Sequence, residues 1–210
     1  MDGKVWQMKI GILALQGDIQ EHKTILKKLK VDVVEVRKKE DLKGVDGLII
    51  PGGESTTIGK LMVDYGLDKE IIEKAKSGMG IYGTCAGAIL LSKNIKHSTQ
   101  PRLGLMDIVI ERNAYGRQLE SFEAVLDIKK IGKFHGVFIR APIIESCKDA
   151  EVLASYNNHP VFLVHQHIMI TTFHPELTDD ARIHKFFIEL LKKQNKEKDH
   201  VGKAGLRHYY

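Results

Sequence analysis

A cysteine flanked by small residues is the first feature of this chain that could do chemistry. Gly83-Thr84-Cys85-Ala86-Gly87 follows a short apolar run at 79–82 and precedes Ile89-Leu90-Leu91. A nucleophile between small residues at a strand-to-helix turn is the pattern of a nucleophile elbow. Cys85 would then lie at a helix N-terminus, where the positive end of the helix dipole favours a thiolate. The alternative is a small buried core cysteine, and this stretch alone leaves both interpretations open.

His174-Pro175-Glu176 could supply a base and the acid that orients it. Side chains two apart in extended backbone point the same way, and Pro175 biases His174 towards extended backbone. Taken alone, a loop histidine beside a helix-capping acid is the better interpretation. Together with Cys85, the catalytic interpretation becomes the better one, because a lone cysteine with a distant histidine and acid is the arrangement typical of a thiol nucleophile.

Pro51-Gly52-Gly53-Glu54-Ser55 follows the apolar run at 47–50, which is a predicted strand. Ligands bind at the carboxyl ends of strands in an open parallel sheet, and two glycines there allow a close backbone approach. The Gly53 and Ala86 N–H groups could together form an oxyanion hole. A plain turn with a helix cap is the alternative.

Weaker features are two arginines and a group of histidines. Arg112 and Arg140 end predicted strands, where either could bind a substrate carboxylate, although a surface arginine is the default interpretation. His165, His167 and His174 do not have a recognised zinc-ligand spacing, so we predict no metal and no cofactor. Cys147 is expected in a loop and inert.

Alternating strands and helices predict an α/β fold with a three-layer, mostly parallel, flavodoxin-like sheet. Short strands in the middle third predict additional β structure there. Helix starts are expected at Asp18 with Glu21 as a capping box, at Ser55-Thr56-Thr57, and at Thr178 before the apolar stripe of the last helix. We expect one domain over 8–193, an N-terminal extension over 1–7 and a polar, frayed C-terminal tail over 194–210.

Composition narrows the function classes. The 210 residues are 43% hydrophobic and carry a formal net charge of +5. The C-terminal tail contributes +2 of this net charge, because it has four basic and two acidic residues. The remaining +3 is spread over the rest of the chain, whereas a nucleic-acid site needs basic residues clustered on one face. We see no membrane span, no signal peptide and no disulfide framework in the two cysteines, so a cytoplasmic protein is expected.

The three stretches together resemble the signatures of class I (triad) glutamine amidotransferases. More narrowly, the chain is similar over about residues 8–192 to the glutaminase subunits of pyridoxal 5′-phosphate synthases. That similarity rests on Leu15-Gln16-Gly17, Gly-Gly-Glu-Ser-Thr-Thr at 52–57, Glu111-Arg112-Asn113 with Tyr115-Gly116-Arg117-Gln118, Ser121-Phe122-Glu123-Ala124 and Phe138-Ile139-Arg140-Ala141-Pro142.

The resemblance implies a triad of Cys85, His174 and Glu176. It also implies an L-glutamine pocket whose residues are Gly53, Glu54, Ser55, Arg112, Ile139 and Arg140. The implied activity is hydrolysis of glutamine to glutamate and ammonia, which passes to a synthase partner in a heteromeric complex that makes pyridoxal 5′-phosphate. Two alternatives stay open: a cysteine hydrolase or redox sensor of similar fold, and a non-catalytic binding module with Cys85 in its core.

We also expect the chain to work poorly without its partner. Glycines let the Gly52-Gly53 peptide change orientation at little steric cost. Gln16-Gly17 should lie on the same sheet edge, so a partner docking there could select the competent orientation.

Overall fold

A seven-stranded sheet lies at the centre of the computed structural model, which describes residues 8–113 and 121–205. From one edge to the other its strands are β2 (Asp32–Val36), β1 (Lys9–Leu13), β3 (Gly47–Ile50), β4 (Gly80–Thr84), β12 (Ile168–Thr171), β11 (His159–His165) and β10 (Glu151–Tyr156). The first five are parallel, in the order of a flavodoxin-like sheet. The strand β11 is antiparallel to β12, and β10 is antiparallel to β11. The predicted fold class is confirmed.

Helices cover both faces of this sheet. They are α1 (Ile19–Lys28), α2 (Ser55–Asp64), α3 (Leu67–Lys76), α4 (Ala86–Leu91) and α5 (Arg182–Gly205). Alternate residues of a strand face the helices on opposite sides of the sheet. Leu48 and Ile50 pack in the core with α2, α3 and α4, while Ile49 packs in the core with α1 and α5. A strand buried on both faces needs such a continuous apolar run, which is why β3 and β4 were recognisable.

The predicted additional β structure is present in the middle third. It consists of a sheet of β5 (Ser92–Ile95), β6 (Met106–Glu111) and β9 (Ile143–Cys147), and a hairpin of β7 (Ser121–Ile128) and β8 (Gly132–Ile139). The strands β5 and β9 were not predicted. Cys147 is therefore the half-buried last residue of β9, paired with Ile108, and the prediction of a loop there was wrong.

Two helix caps differ from their predictions. The side chain of Asp18 makes no capping hydrogen bond to α1, so the predicted capping box is absent. The N-cap of α2 is Glu54, whose carboxylate accepts from the backbone N–H groups of Thr56 and Thr57. Both carboxylates lie at the carboxyl edge of the sheet.

The last helix begins later and ends later than predicted. Asp180, and not Thr178, accepts from the backbone N–H of Arg182 at the helix start. The helix continues to Gly205, well into the polar tail over 194–210 that was predicted to be frayed. The predicted extension over 1–7, residues 206–210 and the stretch Tyr115-Gly116-Arg117-Gln118 lie outside the described residues. Within the described ranges, no helix is both long and apolar enough to cross a membrane.

Candidate active site

Cys85 lies at the sharp turn between β4 and α4. Its φ is 47° and its ψ −98°, a backbone conformation that L-residues avoid, and its side chain is buried. The flanking glycines make the turn possible. A Cβ on Gly87 would lie 2.1 Å from the carbonyl oxygen of Ile50, and one on Gly83 would lie 2.6 Å from the carbonyl carbon of Gly87. The turn therefore has the geometry that the glycine spacing predicted.

His174 and Glu176 come together as predicted, but on a different backbone. The Nδ1 of His174 lies 2.8 Å from Oε1 of Glu176, and both residues are buried. Glu176 belongs to a 3₁₀ turn over Pro175–Leu177, not to extended backbone after β12. The backbone N–H of His174 donates to Val137, which ties the histidine to β8.

A second carboxylate faces the same imidazole nitrogen. Oδ2 of Asp18 lies 3.2 Å from Nδ1 of His174, where the sequence had predicted a helix-capping role. Gly52 makes this approach possible, since a Cβ there would lie 2.4 Å from Cε1 of His174 and 2.6 Å from Oδ2 of Asp18. The backbone N–H of Asp18 donates to the carbonyl of Gly52 at 3.0 Å. Asp18 thus joins the end of β1 to the predicted triad.

These neighbours determine the charge of His174. Burial lowers the pKa of His174, but its interactions with Asp18, Cys85 and Glu176 outweigh burial and raise the pKa to about 12. Burial raises the pKa of Glu176, and the interaction with His174 partly offsets this. His174 is therefore an imidazolium at neutral pH, the charge that stabilises a thiolate beside it.

Gln16 is a further neighbour that the sequence did not assign to the site chemistry. Its Oε1 accepts from the backbone N–H of Glu54 at 2.8 Å and lies against Gly53, whose φ is 150°. A Cβ on Gly53 would lie 2.5 Å from that oxygen. Gln16 therefore contacts the backbone segment that was predicted to supply an oxyanion-hole N–H.

A cavity of about 240 Å³ opens beside Cys85. Cys85, Ala86 and His174 line it together with all six residues of the predicted glutamine pocket. These six are Gly53, Glu54, Ser55, Arg112, Ile139 and Arg140. Glu176 does not line this cavity; it contacts Nδ1 of the His174 ring.

Arg112 is held in the cavity wall by several acceptors. Its Nη2 lies 3.2 Å from Oε1 of Glu54, and its Nη1 donates to Thr56 at 2.9 Å and to Oε1 of Gln100 at 2.6 Å. Burial raises the pKa of Glu54, but hydrogen bonds from Thr57 and Thr56 lower it to about 2. This part of the wall thus pairs a fixed anion, Glu54, with a fixed cation, Arg112. Gln100 lies 12 positions from Arg112 in sequence, and it was not predicted as a site residue.

The histidines considered for a metal are not brought together. His165 donates to the backbone carbonyl of Asp149, and His167 to that of Ala75. The described part of the chain does place ligand atoms of Asp18, His174 and Glu176 within 4.8 Å of one another. Both carboxylates there face Nδ1 of the His174 imidazolium.

Residues 12–193 match the family described as the SNO glutamine amidotransferase family. The chain is 49% identical over 188 residues to "Pyridoxal 5'-phosphate synthase subunit PdxT" of Thermotoga maritima, covering 88% of this chain and 100% of that protein. It is 52% identical over 188 residues to the protein of the same name from Desulforamulus reducens, with the same coverage. A solved structure titled "Crystal structure of glutamine amidotransferase" is 50% identical, has a TM-score of 0.85, and covers 87% of this chain and 98% of its own.

Proposed function

The chain belongs to the SNO glutamine amidotransferase family, and from this premise we infer that it is the glutaminase subunit of a pyridoxal 5′-phosphate synthase. It hydrolyses L-glutamine to L-glutamate and ammonia, and it passes the ammonia to a synthase partner in a heteromeric complex. One observation carries the chemistry: Cys85 and His174 line one cavity, and Glu176 holds Nδ1 of that histidine at 2.8 Å.

Cys85 is the proposed nucleophile. Its thiolate attacks the side-chain amide carbon of glutamine, and the negative charge moves to the amide oxygen. The backbone N–H groups of Gly53 and Ala86 are proposed to bind that oxygen, and one such donor is worth about 10²–10³ in kcat.

His174 carries the protons. It protonates the departing nitrogen, so that ammonia leaves and a thioester remains on Cys85. A water molecule then attacks the thioester while His174 accepts the proton of that water, which releases glutamate and restores the sulfur. Glu176 holds the imidazole in the useful orientation and stabilises its positive form.

The charges of the cavity wall suit a zwitterionic amino acid. Arg112 is proposed to bind the α-carboxylate of glutamine, because a guanidinium matches a carboxylate in geometry. Glu54, whose pKa of about 2 keeps it anionic, is proposed to accept from the α-ammonium. Ser55, Ile139 and Arg140 complete the pocket. Glutamine then lies with its amide end towards Cys85.

We propose residues 8–193 as the glutaminase domain, with 1–7 and 194–210 outside it. We also propose a cytoplasmic location, which is supported by the two free thiols and by a mechanism that needs a reduced cysteine. No cofactor takes part in the proposed steps.

The test is to measure glutamate release from glutamine by the chain together with its synthase partner. Cys85→Ala should abolish release while the far-UV circular dichroism spectrum stays the same, because only a sulfur is removed. A glutamine-like electrophile should add one adduct per chain, at Cys85. Cys147→Ala is the matched control and should keep full activity. An adduct mainly on Cys147, or release by Cys85→Ala at the wild-type rate, would refute the proposal.

A further inference from the structure

A chain of buried polar side chains continues from Glu176 away from the cavity. Oγ1 of Thr84 lies 3.3 Å from Oε1 of Glu176, and Nε2 of His22 lies 3.2 Å from that same hydroxyl oxygen. Nδ1 of His22 lies 2.8 Å from Nε2 of His184. Thr84, His22 and His184 are fully buried, and they come from β4, α1 and α5. None of them has a part in the glutaminase steps above.

The hydrogen bonds of this chain can run in one direction that satisfies each contact. A carboxylate only accepts, so the Thr84 hydroxyl donates to Glu176. The Thr84 oxygen can then accept from Nε2–H of His22. A neutral His22 with its proton on Nε2 has a bare Nδ1, which accepts from Nε2–H of His184. Every donor therefore points towards the carboxylate of Glu176.

The surroundings agree with neutral histidines at both positions. Burial lowers the pKa of His22 well below its usual value, and the charges of His184 and His174 lower it further. Burial lowers the pKa of His184 to about 3. The ring of Tyr82 lies edge-on to both imidazoles, at 6.3 Å from His22 and 5.8 Å from His184. Nε2 of His22 also lies 3.6 Å from Oε1 of Glu176, so a proton added to His22 would compete with His174 for that carboxylate. A proton on His184 would be a buried charge.

We propose that Thr84, His22 and His184 are positioning residues, whose aligned hydrogen bonds keep Glu176 ionised and its Oε1 directed at Nδ1 of His174. The inference rests on the proposed glutaminase function. A lone buried carboxylate would take up a proton and lose its hold on the imidazolium, whereas a hydrogen-bond donor favours the charged form. Neutral dipoles supply that donor without adding a second charge next to the imidazolium.

The expected pH effect follows from the groups that face Glu176. These are His174 and Asp18 on the cavity side, His22 and Tyr82 within the sheet and α1, and His184 behind His22 on α5. Removing the Thr84 donor raises the pKa of Glu176, so its carboxylate is protonated at a higher pH. The acid limb of the kcat profile then moves to higher pH.

The decisive variant is Thr84→Val, compared with Thr172→Val. Thr172 is also a buried threonine, but among the described residues its hydroxyl has no hydrogen-bond partner. With the synthase partner present, Thr84→Val should lower kcat about tenfold and shift the acid limb up by about one pH unit, the effect of one hydrogen bond to a charged group. The KM for glutamine should stay the same. Thr172→Val should leave the profile as in the wild type.

A second pair of variants separates positioning from packing. His22→Gln keeps an N–H donor near the place of Nε2, whereas His22→Leu removes it. We expect His22→Gln to retain the wild-type acid limb and His22→Leu to shift it as Thr84→Val does. Equal profiles in all four variants would overturn the inference, and so would equal shifts in Thr84→Val and Thr172→Val.

The pH dependence of Cys85 alkylation by iodoacetamide, read by peptide mass spectrometry, gives the same answer without glutamine. Thr84→Val should shift that profile in the same direction, and an unshifted profile would overturn the inference. Absence of glutamate release by the wild-type complex would refute only the proposed function, because alkylation still tests the buried chain.

Discussion

Two polar clusters flank the Cys85–His174 pair, and they differ in their access to water. The open cluster consists of Glu54, Thr56, Gln100 and Arg112, and the side chains of its ion pair are 45% and 31% exposed. The buried cluster consists of Glu176, Thr84, His22 and His184, and their side chains are out of contact with solvent. Both are networks around one carboxylate, yet one uses full charges and the other uses neutral donors.

Solvent access explains this division. A half-exposed ion pair is screened, so a substrate carrying its own charges can displace or join it at small cost. A buried charge interacts strongly with everything near it and is expensive to leave unpaired. The open cluster is therefore suited to bind and release a ligand, and the buried cluster to hold one geometry throughout turnover.

The largest effect should come from breaking the buried cluster at its acid. Glu176→Gln keeps the shape but removes the charge that stabilises the imidazolium, a change that lowers kcat by up to ~10⁴-fold in a triad. We expect a fall of at least about tenfold in kcat with little change in KM, measured as steady-state glutamate release.

Asp18 is the natural control for that experiment, because it faces the same nitrogen from the solvent side. Asp18→Asn should lower kcat less than Glu176→Gln, since the Asp18 side chain is 31% exposed and its charge is screened. The reverse order would assign the orienting role to Asp18.

Breaking the open cluster should affect binding and not turnover. Arg112→Ala removes the proposed partner of the α-carboxylate, and hydrogen bonds between charged groups are worth about tenfold or more in affinity. We expect KM for glutamine to rise by that factor while kcat changes little. Arg37→Ala, an exposed arginine paired with Glu35, is the control and should leave KM unchanged. An unchanged KM in folded Arg112→Ala would place Arg112 outside the binding function.

A comparable effect should appear where Gln16 contacts the Gly53–Glu54 backbone that is proposed to bind the oxyanion. We expect low basal activity and a rise of at least about tenfold, or 1.4 kcal/mol, when the synthase partner is added. Gln16→Ala removes the acceptor of the Glu54 N–H and the contact with Gly53, so the rise should be lost. Full activity of the isolated chain, unaltered by the partner, would refute this switching while leaving the triad assignment standing.

The smallest effect concerns stability in mild acid. His22 and His184 have lowered pKa values in the native state, about 3 for His184, because burial disfavours their charged forms. Below about pH 6.5 the unfolded chain binds protons that the native chain does not, so the free energy of unfolding should fall as the pH falls. His174, whose native pKa is raised, contributes stability in this range and loses it only at higher pH.

Urea unfolding between pH 7 and pH 5 measures this slope. His184→Leu should flatten it, whereas His97→Asn, at an exposed position with φ of 54°, should not. Glu54 has a native pKa of about 2 and begins to lose its contribution only below about pH 4.5, so the open cluster should not affect this window. Identical slopes in wild type and His184→Leu would show that His184 is not buried as a neutral group.

The sequence predicted the parts of the site whose signals are local. The small residues around Cys85 indicate a sharp turn. The two-residue spacing of His174 and Glu176 indicates that their side chains lie close together. The continuous apolar runs of β3 and β4 placed those turns at one edge of a parallel sheet.

The missed partners have no such local signal. Asp18 has the pattern of a helix cap, and only the absence of a side chain on Gly52 lets it reach His174 instead. His22 and His184 meet across 162 positions of sequence, each as a single polar residue on an otherwise apolar helix face. A strand such as β5 is four residues long and half exposed, too short for an alternating pattern to be visible.

The pairing of β4 with β12 also determines when this protein becomes reactive. Thr84 and Thr171 are register partners, and most of the described strands lie between them in sequence. During synthesis the thiol of Cys85 leaves the ribosome long before His174, and the buried histidine pair needs α5 as well. A growing chain, or one shortened before β12, thus carries Cys85 without His174 and Glu176. The proposed chemistry therefore needs the last described strand and helix, and a chain that lacks them cannot hydrolyse glutamine by the steps proposed above.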